Sequence, residues 1–348
     1  MALYLAELSG ESIDLSLQEL EALVETAGGK LSVKGKLDKG KIALLDISLR
    51  DSQVRELAEK SAMLKFIAAV VKELKNLELK ELGKVAYKWV KFPFCVRVLD
   101  LEGEQLPEIE GRLASVIFDY FVHEDKRQHI TVSLNNPKTT VLFVIAKKRV
   151  FVTDLVWKSE KGRFTNRDPA KKPAFHPTTL KPKLARTLVN LSRPTKGSTL
   201  LDPFCGTGSV LIESAVLGMK PIGIDMDAEM LSGSKRNLKF YKLNAQLMQG
   251  NSTQLDNYLK KNSVDAIATD PPYGRSSRIG AKNIKTLYKY FFYSAHGILK
   301  PKRYLAALYP DSIDARKLVN RKQWSIVFES DLYVHGGLTR KFLVLRKR

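Results

Sequence analysis

The sequence predicts an α/β chain whose C-terminal half is a mostly parallel sheet closed by an antiparallel hairpin, behind an α+β N-terminal half. Three observations carry this. From Thr199 onward, short apolar runs alternate with helix-period stretches, the pattern of strands joined by crossover helices. LYVHGGLTRKFLVL, 332–345, reads as two antiparallel strands joined across Gly336 and Gly337. RFTNRDPAKKPAFHP, 163–177, is rich in Pro and Lys without apolar period, and so reads as a connection between the halves.

In the C-terminal half, Thr199–Asp202 is the first strand, followed by the turn PFCGTG and a helix over Ser209–Leu217. Pro221–Ile224 is the next strand, ending at Asp225, and a helix over Ala228–Tyr241 leads to the strand Ala245–Met248. The strand Val264–Thr269 feeds the stretch DPPYG. A helix over Lys285–Ile298, the strand Tyr304–Tyr309, a helix over Asp311–Asn320 and the strand Trp324–Phe328 precede the hairpin.

The N-terminal half has a different texture. A strand (Leu3–Ala6), a helix (Leu15–Thr26) and a strand (Ile42–Ile47) suggest a small unit over 1–60. Apolar spacing then predicts a helix over Ser61–Leu74, a strand over Trp89–Leu101 and a helix over Gly111–Val122. Strands Ile130–Leu134, Val141–Ala146 and Val150–Leu155 complete a segment over 61–155, a basic linker spans 156–175, and 176–348 forms the C-terminal domain.

Composition bounds the partners. With 44% apolar and 27% charged residues the 348-residue chain is of ordinary globular type. Cys95 and Cys205 are too few for a disulfide framework, no Cys/His cluster has metal-ligand spacing, and no run approaches a spanning helix. A cytoplasmic, metal-free monomer away from membranes is expected. Lys and Arg number 58 against 37 Asp and Glu, a net +21 that attracts polyanions. Arg275, Arg278, Lys282, Lys285, Lys289, Lys300, Lys302 and Arg303 follow DPPYG with no acid between Pro271 and Pro310, and the first four are expected to hold nucleic acid. Eleven more bases lie between Val156 and Ser198 against Glu160 and Asp168.

The turn LLDPFCGTGS lies where an open α/β sheet of Rossmann-like type binds a nucleotide-like cofactor. Gly206 and Gly208 let the backbone approach a ligand, with Asp202, Phe204 and Thr207 around them. Asp225, followed by Met226, ends the next strand and is placed for ribose hydroxyls, while Asn251 and Ser252 in MQGNS face an adenine edge. Neither GxGxxG nor GK[ST] is present, so a pyrophosphate is not expected and S-adenosylmethionine fits better. His176 and Thr178 in FHPTTLKPK are placed near the cofactor or at a hinge, and Thr178 with Thr179 as a helix cap.

DPPY carries the chemistry. An exocyclic base amine has its lone pair delocalised into the ring. Asp270 accepts one of its N–H groups and later its proton, the Pro271 carbonyl accepts the other, and Pro272 keeps the turn rigid. Tyr273 offers a ring for stacking, worth about 1–3 kcal/mol. Cys205 is a packing residue in this reading, and a plain strand stop is the bland alternative for the tetrapeptide.

Together, DPFCGTG, DPPYG and HPTTLKPKLARTLVNLS resemble the THUMP-containing class I methyltransferases, and most closely the archaeal tRNA guanine-10 N2-methyltransferases. The resemblance implies a ferredoxin-like unit over 1–60, a THUMP domain over 61–155 that grips the acceptor end of tRNA, and methylation of the N2 amine of guanosine 10, once or twice. A sister group acting on guanine 6 generally carries Asn at the first position of the motif, where this chain has Asp270. A DNA adenine-N6 methyltransferase and a non-catalytic RNA-binding protein remain as alternatives.

Overall fold

In the computed structural model the described residues are 2–75, 78–103, 108–123, 130–146, 149–273, 281–335 and 338–348. The chain runs β1 (Ala2–Leu8), α1 (Ile13–Thr26), β2 (Leu31–Leu37), β3 (Ile42–Ile47), α2 (Asp51–Lys60) and β4 (Leu64–Leu74). Then come α3 (Leu79–Tyr87), β5 (Phe94–Asp100), α4 (Ile109–His123), β6 (Thr139–Ala146) and β7 (Arg149–Lys158). The second half holds α5 (Pro182–Leu191), β8 (Thr199–Asp202), α6 (Ser209–Val216), β9 (Lys220–Asp225), α7 (Ala228–Phe240), β10 (Gln246–Gln249) and β11 (Val264–Thr269). It closes with α8 (Ala281–Ile298), β12 (Leu299–Pro310), β13 (Trp324–His335) and β14 (Leu338–Lys347).

Two compact units result. The first combines Met1–Gly10, Gly29–Glu59 and Leu64–Ser159 around one sheet in the order β2-β3-β1-β4-β7-β6-β5. Here the structure corrects the expected helix over Ser61–Leu74. That run becomes β4, paired with β1 (Tyr4↔Ala69) on one side and β7 (Val70↔Thr153) on the other. Its core FIAAVV has no polar face for a surface helix, and two neighbouring strands satisfy its backbone. The boundary drawn at residue 60 therefore falls within a single sheet. The strand expected at Ile130–Leu134 is reduced to a bridge between Phe94 and Val132.

The second unit combines Glu11–Gly28, Lys60–Met63 and Glu160–Arg348. Its sheet runs β10-β9-β8-β11-β12-β14-β13, with β10 to β12 parallel and β14 antiparallel to both β12 and β13. This is the mixed Rossmann-like sheet read from the sequence. Trp324–His335 forms one continuous strand, and the helix expected over Asp311–Asn320 is a single 3-10 turn at Ala315–Lys317. α8 buries Ile284, Tyr288, Phe291, Phe292 and Ala295, a helix-period stripe, against the sheet. Among the described residues, no helix is long and apolar enough to cross a membrane.

Helix α1 belongs to this second unit although it lies between β1 and β2 in sequence. The buried Glu19 carboxylate accepts from Asn190 Nδ2 on α5 at 2.8 Å and from the N–H groups of Ala62 and Met63. The segment expected as a basic linker is likewise packed here. Arg167 and Arg186 share the buried Glu213 of α6, at 2.6 and 2.7 Å, and Lys172 Nζ donates to Ser209 Oγ at 2.8 Å. Burial pulls the Lys172 amine down to about 8. Several bases that sequence reasoning assigned to polyanion attraction are thus spent inside the protein.

Candidate active site

Strand order reverses between β8 and β11, since β9 and β10 lie to one side of β8 and β12 to the far side of β11. Such a switch point opens a crevice at the carboxyl ends of the strands. The two strands pair in parallel (Ile267↔Leu201), so both chains leave the sheet at the same edge, with Asp270 two residues beyond the level of Asp202. Thr269 Oγ1 donates to Asp202 Oδ1 at 2.6 Å, tying the strand before DPPY to the strand before the glycine turn. This bond is not legible from residue order, because a threonine inside an apolar strand reads as packing.

The glycine turn is held by backbone geometry. Gly206 and Gly208 have φ of 48° and 88°, in the left-handed region. A Cβ on Gly208 would lie 2.5 Å from Ser234 Oγ of α7, whereas one on Gly206 would meet nothing within 4 Å and would project into free space. The Gly206 N–H donates to Asp225 Oδ2 at 2.8 Å, and Asp225 Oδ1 accepts from Asp227 N–H at 3.0 Å. Asp225, predicted to meet ribose hydroxyls, first of all fixes the turn, with lone pairs left over. Phe204 packs edge-on against Phe291 of α8 with ring centroids 5.2 Å apart. Cys205 is buried beneath the turn, and burial pushes its thiol well above the ordinary range, as suits a packing residue.

A cleft with about 460 Å³ of free space, part of it open to solvent, lies over this turn. It brings together the predicted His176, Thr178, Asp202, Phe204, Gly206, Thr207 and Asp270. Thr179, expected only as a helix cap, and Met230, missed from the sequence, also line it. Gly208, Asp225, Met226, Asn251 and Ser252 do not line this cleft. Met226 is 62% exposed at the end of β9, Ser252 is buried, and Asn251 Oδ1 accepts from Thr253 in a local turn. The capping role drawn for Thr178 and Thr179 is corrected: α5 begins after Lys181. His176 Nδ1 instead meets Thr178 Oγ1 at 2.8 Å, and Thr179 Oγ1 meets Thr207 Oγ1 at 3.1 Å.

The carboxylates of this site are under electrostatic tension. Burial pushes Asp202 up to about 7 despite bonds from Thr269 and the Phe204 N–H, with Asp225 and Asp270 adding repulsion. Burial also raises Asp225 and Asp270. Asp270 is held back by Arg340 of β14, whose Nη1 lies 3.9 Å from Oδ2, and by Tyr273, whose hydroxyl donates to Oδ1 at 2.5 Å. The Arg340 guanidinium sits 5.7 Å from the centre of the Tyr273 ring. Arg340 and Tyr288 of α8 were both missed, one because it comes from a distant strand, the other because it lies on an apolar helix stripe. Arg275 and Arg278 lie outside the described residues. Lys282 is in the first turn of α8, and Lys285, Lys289, Tyr290 and Tyr293 are exposed along that helix.

Residues 169–341 match the family model of the RMKL-like methyltransferase domain. The chain is 32% identical to a tRNA (guanine(10)-N2)-dimethyltransferase of Methanothermobacter thermautotrophicus over 75% of each chain. It is 26% identical to the enzyme of that name from Pyrococcus abyssi over 99% of this chain and 100% of the relative. A tRNA (guanine(6)-N2)-methyltransferase of Methanocaldococcus jannaschii is more distant, at 25% over 78% of this chain and 82% of that one. Among solved structures, TrmN from Thermus thermophilus superposes with a TM-score of 0.52 at 20% identity, covering 99% of this chain and all of that one, which shows a common fold. The chain belongs to the family of tRNA (guanine(10)-N2)-dimethyltransferases.

Proposed function

We propose that the protein transfers methyl groups from S-adenosylmethionine to the N2 amine of guanosine 10 in tRNA, giving N2-methyl- and N2,N2-dimethylguanosine. The observation that carries this is the pairing of β8 with β11, which sets Asp270 in the cleft formed by the glycine turn. The two carboxylates that line the cleft, Asp202 and Asp270, suit a cofactor that carries a sulfonium and an ammonium group, and the free space off Gly206 gives it room. When bound, S-adenosylmethionine supplies an electrophilic methyl.

Within this reading Asp202, Phe204, Gly206, Thr207, His176 and Thr178 hold the cofactor, while Asp225 and Gly208 shape the turn. Met226, Asn251 and Ser252 serve the adenosine end. Asp270 and the Pro271 carbonyl orient the amine, and Pro272 stiffens the turn. As the amine takes the methyl that the bound cofactor would supply, Asp270 would take the proton the amine loses. Since the leaving group is already activated, alignment does most of the catalysis. Tyr273 serves as the stacking ring once the base has left its stem, at a cost of a few kcal/mol. Two methylations require that N2-methylguanosine re-enter the same site.

Arg275, Arg278, Lys282 and Lys285 form the RNA path, supported by α8, a helix without a single acid that also exposes Lys289, Tyr290 and Tyr293. We read 61–155 as the THUMP part and 1–60 as a ferredoxin-like part of an RNA-gripping region, of which α1 and residues 60–63 belong to the second unit, a reading supported by strand and helix order. The test is mass mapping of nucleosides in an unmodified tRNA transcript after incubation with enzyme and cofactor. N2-methylated guanosine at nucleotide 10 is expected; methylation confined to guanosine 6 or to DNA adenine would replace the proposal.

A further inference from the structure

Two buried polar atoms of the active site lack a partner among the described residues, Arg340 Nε and the Tyr288 hydroxyl. A buried donor left unmade costs roughly 1–3 kcal/mol, so neither is there for stability. Arg340 is delivered by a rigid part of the fold: β14 lies between β12 and β13, and its Arg340 pairs with Pro310 and Leu332. Its side chain is 14% exposed. A methionine or leucine there would fill similar space without desolvating a charge.

What the guanidinium meets is Asp270, 3.9 Å away, and the face of Tyr273. We propose that Arg340 is a positioning residue of the methyl-transfer reaction, a fixed counter-charge that keeps Asp270 ionised and aimed at the incoming amine. This rests on the reading of Asp270 as the group that orients the amine and takes its proton.

The groups that face Asp270 come from four elements. Arg340 approaches from β14, Tyr273 from the turn after β11, Tyr288 from α8 and Asp202 from β8, and His176 lines the same cleft. Among the described residues that face Asp270, Arg340 alone is a permanent cation. Burial raises Asp270, and Arg340 heads the influences that pull it back. Tyr273 and Tyr288, both held well above the usual phenol range by burial and by the Asp270 charge, stay neutral donors. Loss of Arg340 therefore leaves a carboxylate whose remaining charged neighbour among the described residues, Asp202, is repulsive.

The experiment compares single-turnover methyl transfer for wild type, Arg340→Met and Arg340→Lys across pH 5.5–9, with tRNA and cofactor saturating so that titration of Asp202 in cofactor binding does not enter. Arg340→Met is expected to move the acid limb of the rate upward by about one pH unit or more, the reach of an opposite charge at this distance. Below that limb the rate falls about tenfold for each unit moved, and it recovers as pH rises. Arg340→Lys restores most of the wild-type profile, and affinity for S-adenosylhomocysteine by calorimetry is unchanged in both. A uniform loss with an unmoved limb would assign Arg340 a purely structural role and overturn the inference, as would an unaffected rate. Asp270→Ala, run alongside, separates the two readings: full turnover in that variant sinks the proposed function itself.

Discussion

Asp202→Asn is predicted to stabilise the free protein while weakening the cofactor site. Asp202 is 2% exposed, and its two hydrogen bonds, from Thr269 Oγ1 and the Phe204 N–H, both end on Oδ1. Asparagine keeps that oxygen and removes the charge. The carboxyl rises from 3.8 to about 7 on folding. The native state therefore binds more protons than the unfolded chain between these values, so this group's contribution is most favourable below 3.8 and is lost as pH climbs through about 7. A rise of about three units corresponds to roughly 4 kcal/mol at pH 8.5 and roughly 2 kcal/mol at pH 5.5. Asparagine does not titrate, so the mutant-minus-wild-type difference isolates this term. Urea unfolding of both proteins at the two pH values measures it, and calorimetry with S-adenosylmethionine measures the loss of affinity, expected to be at least tenfold. A mutant less stable than wild type at pH 8.5, or a gain that does not grow with pH, would show that Asp202 is not a destabilising buried charge.

Other substitutions probe the frame around the site. Glu213→Gln leaves Arg186, a side chain only 3% exposed, without its countercharge, and should lower stability by about 3–5 kcal/mol; a loss under about 1 kcal/mol in urea unfolding would contradict this. Gly208→Ala combines a φ of 88° with a Cβ placed 2.5 Å from Ser234 Oγ. It should destabilise by about 1–2 kcal/mol from the left-handed conformation alone, more with the clash, and an unchanged unfolding midpoint would argue against the turn geometry. Lys285→Glu with Lys289→Glu should flatten the salt dependence of tRNA affinity by about 0.7–0.9 per lost phosphate contact, while S-adenosylhomocysteine binding stays as in wild type. An unaltered salt slope would remove α8 from the RNA path.

The catalytic half was legible because its elements obey local rules. Apolar strands ending in Asp202, Asp225 and Thr269-Asp270 announce both their direction and the side on which a ligand binds. The N-terminal half was less so: LKFIAAVVKEL has helix-compatible spacing, and only the pairing of β4 with β1 and β7, far away in sequence, decides for a strand. α1 was read correctly as a helix but assigned to the wrong neighbours, since Glu19 finds its partners at Ser61–Met63 and Asn190. The basic segment 156–175 shows the limit of charge counting, because Arg167 and Lys172 turn inward to Glu213 and Ser209. In the site, DPPY and the glycine turn were visible as motifs. Arg340 was not: nothing in LTRKFLVL signals that one of its two bases meets a carboxylate 70 residues earlier, and only the order β11-β12-β14 brings them together.

Asp270, standing at the switch point beside the glycine turn, is proposed to receive the N2 amine of a tRNA guanosine. The most direct test is Asp270→Ala assayed on an unmethylated tRNA transcript, with nucleosides quantified by mass spectrometry and S-adenosylhomocysteine binding measured on the same preparation. Wild-type affinity for S-adenosylhomocysteine is expected, with a drop of at least about a hundredfold in N2-methylguanosine formation, the scale of a lost general base. Wild-type turnover by the alanine variant would contradict that role.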